Sequence, residues 1–194
     1  MIINNKTYFV HIPRTAGRFI HKSLELSGNE ILHFDFNVLF KGKEAPHLTY
    51  PEYSQFTHHR SFKKFCVVRD PVDRFISMVK GTWMLDEEKI KKMFSSQSCF
   101  DETVSNLCLN GNTNWFVPQI NFIDYPYNTK IWRFEDDFND EFTHWLQYNF
   151  DIEITNFADK LDFVNTNTND ITLNDKQTSY IKNYYYKDYT ILNY

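Results

Sequence analysis

The chain has 194 residues and a formal net charge of −4 at pH 7, with 42% hydrophobic, 24% charged and 18% aromatic residues. This balance is typical of a globular protein and excludes a disordered or low-complexity chain, and the length favours one domain over residues 1–194. No run approaches the roughly 18 apolar residues of a membrane span, and the N-terminus lacks a signal-peptide pattern, so we expect a cytoplasmic protein that needs no membrane. Three cysteines without CxxC spacing indicate reduced thiols.

The charge is unevenly distributed along the chain. Residues 1–92 carry 15 Lys and Arg against 10 Asp and Glu, whereas residues 93–194 carry 6 against 15. A nucleic-acid-binding protein is not expected to divide its charge in this way, because its basic groups have to follow an extended polyanion. The distribution instead favours a local anionic ligand held by the first half.

The first half of the chain begins like an α/β unit. A β-rich run at residues 7–11 predicts a buried strand, and the apolar positions after Gly17 predict a helix that ends near Gly28. A second strand is expected at residues 30–34. Residues 35–60 show no sustained period and are predicted to be irregular.

A second strand–helix unit follows. The apolar run at residues 65–68 predicts a central parallel strand, and Asp70 and Pro71 are typical of the cap and first position of a helix. Further predicted elements are helices over 86–94 and 101–109, a strand over 130–134 and an acidic helix start after that strand. Thr172 is the predicted N-cap of a C-terminal helix rich in aromatic residues. The pattern predicts an α/β fold.

The segment between the first strand and helix, residues 11–18, has the composition of an anion-binding loop. A helix N-terminus presents unpaired N–H groups and partial positive charge, which hold phosphate or sulfate. Arg14 and Arg18 add bidentate cationic donors, and Gly17 permits close approach of the backbone. The spacing matches neither GxxxxGK[ST] nor GxGxxG, which disfavours a Walker-type NTPase and a dinucleotide-binding fold.

A second basic group follows the central strand. Arg69 leaves the strand and Ser77 lies eight residues later on the predicted helix. Such a pair can converge on one terminal phosphate, the arginine by charge and the serine by its hydroxyl. Asp70, Asp73 and Arg74 are explained as well by a cap and a surface ion pair, worth about 0–1 kcal/mol.

Together these segments resemble the sulfotransferases that use 3′-phosphoadenosine 5′-phosphosulfate (PAPS). HIPRTAGRFI is similar to the 5′-phosphosulfate loop of the family and CVVRDPVDRFIS to its 3′-phosphate motif, and PQINFI, IWRFEDDF and the ending IKNYYYKDYTILNY resemble blocks of its carbohydrate-modifying branch. The likeness extends over residues 8–194. The short chain, with no Golgi anchor, suggests a small soluble bacterial or viral member, which would place a viral protein in the host cytoplasm.

The resemblance implies a P-loop-like, three-layer fold with a central parallel sheet. It also implies sulfuryl transfer by in-line displacement to a hydroxyl or amine of a carbohydrate or small molecule, with 3′,5′-diphosphoadenosine (PAP) as product and no metal. Arg69 and Ser77 would hold the 3′-phosphate. The residues implied for the 5′-phosphosulfate are Pro13, Arg14, Thr15, Ala16, Gly17 and Arg18.

The chain departs from the family loop at two points. Arg14 stands where the family usually has lysine, and Arg18 with Phe19 replaces the usual hydroxyl residue after the glycine. Arg14 can clamp the sulfuryl and bridging oxygens as a catalytic group but cannot donate a proton. These departures keep open a second hypothesis, a catalytically inactive nucleotide- or glycan-binding module. A small-molecule kinase with a degenerate loop is a third, which should need Mg²⁺.

The reaction also needs a general base to accept the proton of the acceptor, and histidine suits neutral pH. His59 is the first candidate and His58 the second, since adjacent residues of an extended chain point in opposite directions. Glu44 and Glu52 remain alternatives, and His11 is expected to orient the loop. The irregular segments 35–60 and 95–125 are expected to shape the acceptor cleft. The acceptor itself stays open among a neutral saccharide, a lipid headgroup and a small alcohol.

Overall fold

A computed structural model gives the fold of the protein. It describes residues 1–55, 61–82, 85–110, 114–124, 128–159 and 171–194. The strands in these ranges are β1 (Ile2–Ile3), β2 (Thr7–Val10), β3 (Ile31–Leu32), β4 (Leu39–Phe40), β5 (Lys43–Glu44), β6 (Lys63–Val68) and β7 (Thr129–Arg133).

Helices connect and cover these strands. Those in the described ranges are α1 (Gly17–Leu26), α2 (Tyr50–Tyr53), α3 (Pro71–Gly81), α4 (Glu87–Met93), α5 (Gln97–Asn110), α6 (Asp140–Phe150), α7 (Asp175–Tyr184) and α8 (Tyr186–Leu192), with short 3-10 turns at Ala45–His47, Gln119–Phe122 and Phe134–Asp136. The helices predicted over 86–94 and 101–109 are confirmed as α4 and α5. In the part of the chain that is described, no helix has the length and apolar character to cross a bilayer.

Five strands form the central sheet in the order β3-β1-β2-β6-β7. β2, β6 and β7 run parallel, with Phe9 opposite Phe65 and Val68 opposite Arg133, which confirms the predicted parallel centre. β1 and β3 add antiparallel strands at one edge, so the sheet is not parallel throughout. The strand expected at 30–34 is reduced to two residues, because His33 takes a φ of 60° and ends the extended run.

Helices pack on both faces of the sheet. Successive side chains of a strand point to opposite faces. Phe9 and Phe65 therefore pack with α1 and α6 in one apolar cluster, while Val10 and Cys66 pack with α2 and α8 in another. A third cluster lies among α3, α4, α5 and α7. The architecture is mixed α/β.

The start of α3 follows the sequence pattern and the start of α7 does not. The Asp70 carboxylate accepts from the N–H groups of Val72 and Asp73, as an N-cap should. The prediction of Thr172 as the cap of α7 is wrong. Asn174 caps that helix, because it accepts from the Gln177 N–H while the Gln177 amide oxygen accepts in return from the Asn174 N–H.

Residues 35–55, the described part of the stretch expected to be irregular, contain short elements. They are the two-residue strands of the β4–β5 hairpin, the three-residue turn at Ala45–His47 and the four-residue helix α2. Elements of this length are too short to produce a hydrophobic period, which is why the sequence pattern did not reveal them. The hairpin is fastened to α5, since Lys43 Nζ donates to the Cys108 carbonyl at 3.3 Å.

Candidate active site

One cleft lies at the edge of the sheet where the parallel strands end. It encloses about 920 Å³ and is lined by residues that follow β2, β6 and β7. Because parallel strands deliver their carboxyl ends to one edge, segments that are distant in sequence meet there. Of the eight residues predicted to hold the nucleotide, seven line the cleft: Pro13, Arg14, Ala16, Gly17, Arg18, Arg69 and Ser77.

The loop after β2 has an unusual backbone. Arg14 and Ala16 take φ values of 67° and 65°, in the left-handed region that non-glycine residues seldom occupy. Residues of this kind cost about 1–3 kcal/mol each and cluster at ligand sites, and such turns direct successive N–H groups toward one concave anion site. Thr15, the eighth residue predicted to hold the nucleotide, is fully buried beneath the cleft lining, and its hydroxyl donates to the Ile12 carbonyl at 2.8 Å.

His11 supports this loop by packing. Its imidazole lies directly behind Gly17, where an added Cβ would come within 1.9 Å of ring atoms Cδ2 and Nε2. The ring also packs among Phe34, Phe36 and His47. Burial is the main cause that lowers the His11 pKa well below its usual value, so the ring is neutral at pH 7. Gly17 is therefore required by the imidazole behind it.

Arg14 joins the two basic motifs. Its Nε donates to the Ser77 hydroxyl on α3 at 3.0 Å, and its guanidinium lies over the Trp115 ring at 5.6 Å. Burial, and then the charges of Arg69 and Arg18, lower the Arg14 pKa. The guanidinium still stays protonated at neutral pH, because an arginine side chain is effectively always charged in a protein.

Arg69 lies at the carboxyl end of β6 and is held in place through its backbone. The Gln119 side chain accepts from the Arg69 N–H at 2.9 Å and donates to its carbonyl at 2.8 Å. The guanidinium lies over the Phe134 ring at 4.3 Å. Its Nε is buried, and the described residues offer it no hydrogen-bond partner. A donor in this position is suited to an incoming anion.

Arg74 has a different place from the one expected. The surface ion pair proposed for it is wrong, because the side chain is 1% exposed. Its guanidinium donates to the carbonyls of Pro13, Trp115 and Val117 at 3.0, 2.7 and 3.1 Å. A signal for this burial exists in the sequence, since position 74 falls on the apolar face of α3 with Phe75 and Met78.

The cleft also holds an acidic residue and a histidine. Glu44 and His47 line it, and His47 Nδ1 lies 2.6 Å from Glu44 Oε2. Glu52, an alternative base, instead accepts from the N–H of Thr49 and from the Asn114 amide at 2.6 and 2.8 Å. His58 and His59 lie outside the described residues. Sequence reasoning considered Glu44 but assigned no function to His47, whose segment shows no period.

This cleft holds four cationic side chains beside three carboxylates, those of Glu44, Asp73 and Asp137. Arg14, Arg18, Arg69 and Lys80 all line it. Within the described ranges, no group of three or more His, Cys, Asp and Glu side chains is placed to hold a metal ion. The arrangement can bind a polyanionic ligand through guanidinium forks and backbone N–H groups.

Comparison with known proteins gives one match. The model of a group described as "Sulfotransferase family" matches residues 1–150. No curated protein and no solved structure matches the chain. The matched range contains every cleft residue named above.

The contact between Gly17 and His11 can be tested directly. Gly17→Ala drives a Cβ into the imidazole, so we expect a loss of about 1–3 kcal/mol in the free energy of unfolding. In a His11→Ala background the same substitution should cost much less, because the ring is absent. Urea denaturation of the two single variants and the double variant measures this coupling. An equal cost of Gly17→Ala in both backgrounds would contradict the contact.

Proposed function

The chain belongs to the sulfotransferase family, and from this premise we propose that it transfers a sulfuryl group from PAPS to a hydroxyl or amine of a carbohydrate or small-molecule acceptor. PAP is the nucleotide product. The acceptor lies in the same cleft, so that the transfer is a single in-line displacement.

The observation that carries the proposal is the meeting of two separate motifs in one cleft. The hydrogen bond from Arg14 to Ser77 joins the loop after β2 to the helix after β6. Arg69 lines the same cleft with a buried Nε that has no partner among the described side chains and backbone groups. A ligand with two separate phosphate-type groups, such as PAPS, satisfies both halves at once.

The residues fit the two ends of that donor. Loop 13–18 would hold the 5′-phosphosulfate, since Arg14 and Ala16 turn the backbone toward a concave N–H site and the start of α1 adds partial positive charge. Arg69 would hold the 3′-phosphate. Ser77 would contribute there too, and its hydrogen bond to Arg14 links the two ends.

Arg14 supports the transfer by electrostatics. Sulfuryl transfer requires stabilised equatorial oxygens and a leaving phosphate whose charge is neutralised. A guanidinium that remains protonated supplies this charge from a fixed position and keeps its proton throughout. Arg18 adds a second charge at the first turn of α1. The proposal gives this role to guanidinium groups, and no metal is assigned.

The acceptor would contact the part of the cleft formed by Phe36, Glu44, His47 and Trp115. These residues line the cleft and come from the two segments expected to shape acceptor choice, 35–60 and 95–125. The mixture of aromatic and polar groups suits a hydroxyl-bearing molecule, a saccharide included.

The proposal extends to the whole chain. We treat residues 1–194 as one sulfotransferase domain with a P-loop-like arrangement, because β2, loop 11–16 and α1 form its strand–loop–helix unit. Cys66, Cys99 and Cys108 are free thiols, which supports a reducing compartment, the cytoplasm.

The 3′-phosphate assignment predicts a selective loss. Arg69→Ala should weaken PAP binding about 30- to 1,000-fold, or about 2–4 kcal/mol, because a partly buried charge-assisted contact is removed. AMP, which lacks the 3′-phosphate, should bind within about twofold of its affinity for the parent protein. Calorimetric titration measures both nucleotides. Lys22→Ala is the matched control, since it removes one positive charge from the exposed side of α1. Equal losses for PAP and AMP would contradict the assignment.

Transfer itself is tested with ³⁵S-labelled PAPS in the presence of EDTA. A methyl glycoside, a phenol and a primary amine serve as acceptors, and we expect label to appear in at least one product. Arg14→Ala should reduce that transfer at least about 100-fold, as expected when a charge-stabilising donor is lost. Tight PAP binding without transfer to any acceptor or to water would favour an inactive nucleotide- or glycan-binding module.

A further inference from the structure

Glu44 and His47 form a hydrogen-bonded pair inside the cleft. Glu44 ends β5, and His47 follows three residues later at the end of the 3-10 turn. His47 Nδ1 lies 2.6 Å from Glu44 Oε2, and the two side chains are only 5% and 19% exposed. Both line the cavity that contains Arg14, Arg69 and Ser77.

The pairing selects one form of the imidazole. A carboxylate is an acceptor only, so the hydrogen at this contact belongs to His47 Nδ1. In the neutral ring Nε2 is then the proton acceptor. Burial lowers the His47 pKa, the Glu44 hydrogen bond and charge raise it, and the charges of Arg18 and Arg74 lower it. The titratable ring of His11 also faces it, with its centroid 4.7 Å away.

The backbone of His47 is held as well. The Asn114 amide donates to the His47 carbonyl at 2.9 Å and to Glu52 at 2.8 Å. Glu52 is thereby committed to Asn114 and to the start of α2. His11 packs against Gly17 and serves the loop. Among the described cleft residues, His47 therefore has the arrangement of a general base, and Glu44 that of the group which orients it.

We propose that His47, oriented by Glu44, is the general base that activates the acceptor. This inference rests on the proposed sulfuryl transfer and assigns its proton acceptor. His47 Nε2 takes the proton of the acceptor hydroxyl as the new O–S bond forms. The electron pair of the breaking S–O bond passes to the phosphate oxygen of the PAP product, whose charge Arg14 neutralises. Glu44 stabilises the resulting imidazolium, which then releases the proton to solvent.

The first test needs neither acceptor nor turnover. ¹⁵N NMR of the imidazole rings, recorded with and without PAP at pH 7.5, reports which nitrogen carries hydrogen. The His47 signals are those missing from the His47→Gln spectrum. The proposal predicts a protonated Nδ1 and an unprotonated Nε2. A ring protonated at Nε2, in either the neutral tautomer or the imidazolium, would overturn it.

The second test separates catalysis from binding. His47→Gln should lower kcat about 10²- to 10⁴-fold, the usual contribution of a general base, with PAP affinity within about twofold of the parent protein. His144→Gln, on the exposed side of α6, is the matched control and should leave kcat unchanged. The reaction is ³⁵S transfer to the methyl glycoside, phenol or amine used by the parent protein, or to water where none of them is used.

Glu44 is tested as a positioning residue. Glu44→Gln should lower kcat and move the acidic limb of the pH–rate profile to lower pH, because the imidazolium loses its carboxylate partner. Glu44→Asp should restore part of the activity.

Several results would overturn the assignment. They are unchanged kcat in His47→Gln, loss of PAP affinity in that variant, or a collapse of kcat in His59→Gln or His58→Gln alone. Failure of the parent protein to bind PAP would instead refute the proposed function, and the NMR result would still decide the state of the pair.

Discussion

The buried guanidinium of Arg74 is the interaction on which the cleft depends. A charge with 1% exposure is tolerated only where hydrogen bonds replace its hydration, and Arg74 finds them on the carbonyls of Pro13, Trp115 and Val117. Pro13 lies in the loop after β2, and Trp115 and Val117 precede the 3-10 turn at Gln119–Phe122. One side chain of α3 therefore joins the loop after β2 to residues 115–117, and Ser77 of the same helix accepts a hydrogen bond from Arg14 of that loop.

The C-terminal helices α7 and α8 support the same site, although they lie after residue 150, where the match to the family model ends. Asp188 on α8 accepts the N–H groups of Gln119 and Ile120, both at 2.9 Å, and Gln119 in turn clamps the backbone of Arg69. Tyr185 donates to the Phe116 carbonyl at 2.8 Å. Although the family model ends at residue 150, residues 171–194 thus hold the arginine proposed to read the 3′-phosphate.

Local signals made the two strand–helix units predictable. Asp70 and Pro71 define the start of α3 whatever surrounds them, and Gly17 marks the start of α1. The contacts that depend on tertiary structure were not predictable in the same way. From sequence alone Arg74 is expected at the surface, because the carbonyl groups that accept its hydrogen bonds come from segments distant in the chain. The side chain of Thr15 is buried, where its hydroxyl donates to the Ile12 carbonyl. His47 is brought to Glu44 by a 3-10 turn of three residues, which is too short to produce a hydrophobic periodicity in the sequence.

The selectivity proposed for this cleft is for a nucleotide with a phosphate at its 3′ position. Calorimetric titration of the full chain in EDTA with PAP, AMP and ATP tests it most directly. We expect tight binding of PAP and at least about 30-fold weaker binding of the other two, because only PAP presents an anion to Arg69 as well as to the loop. Equal affinity for all three, or tight binding of ATP alone once Mg²⁺ is added, would contradict it.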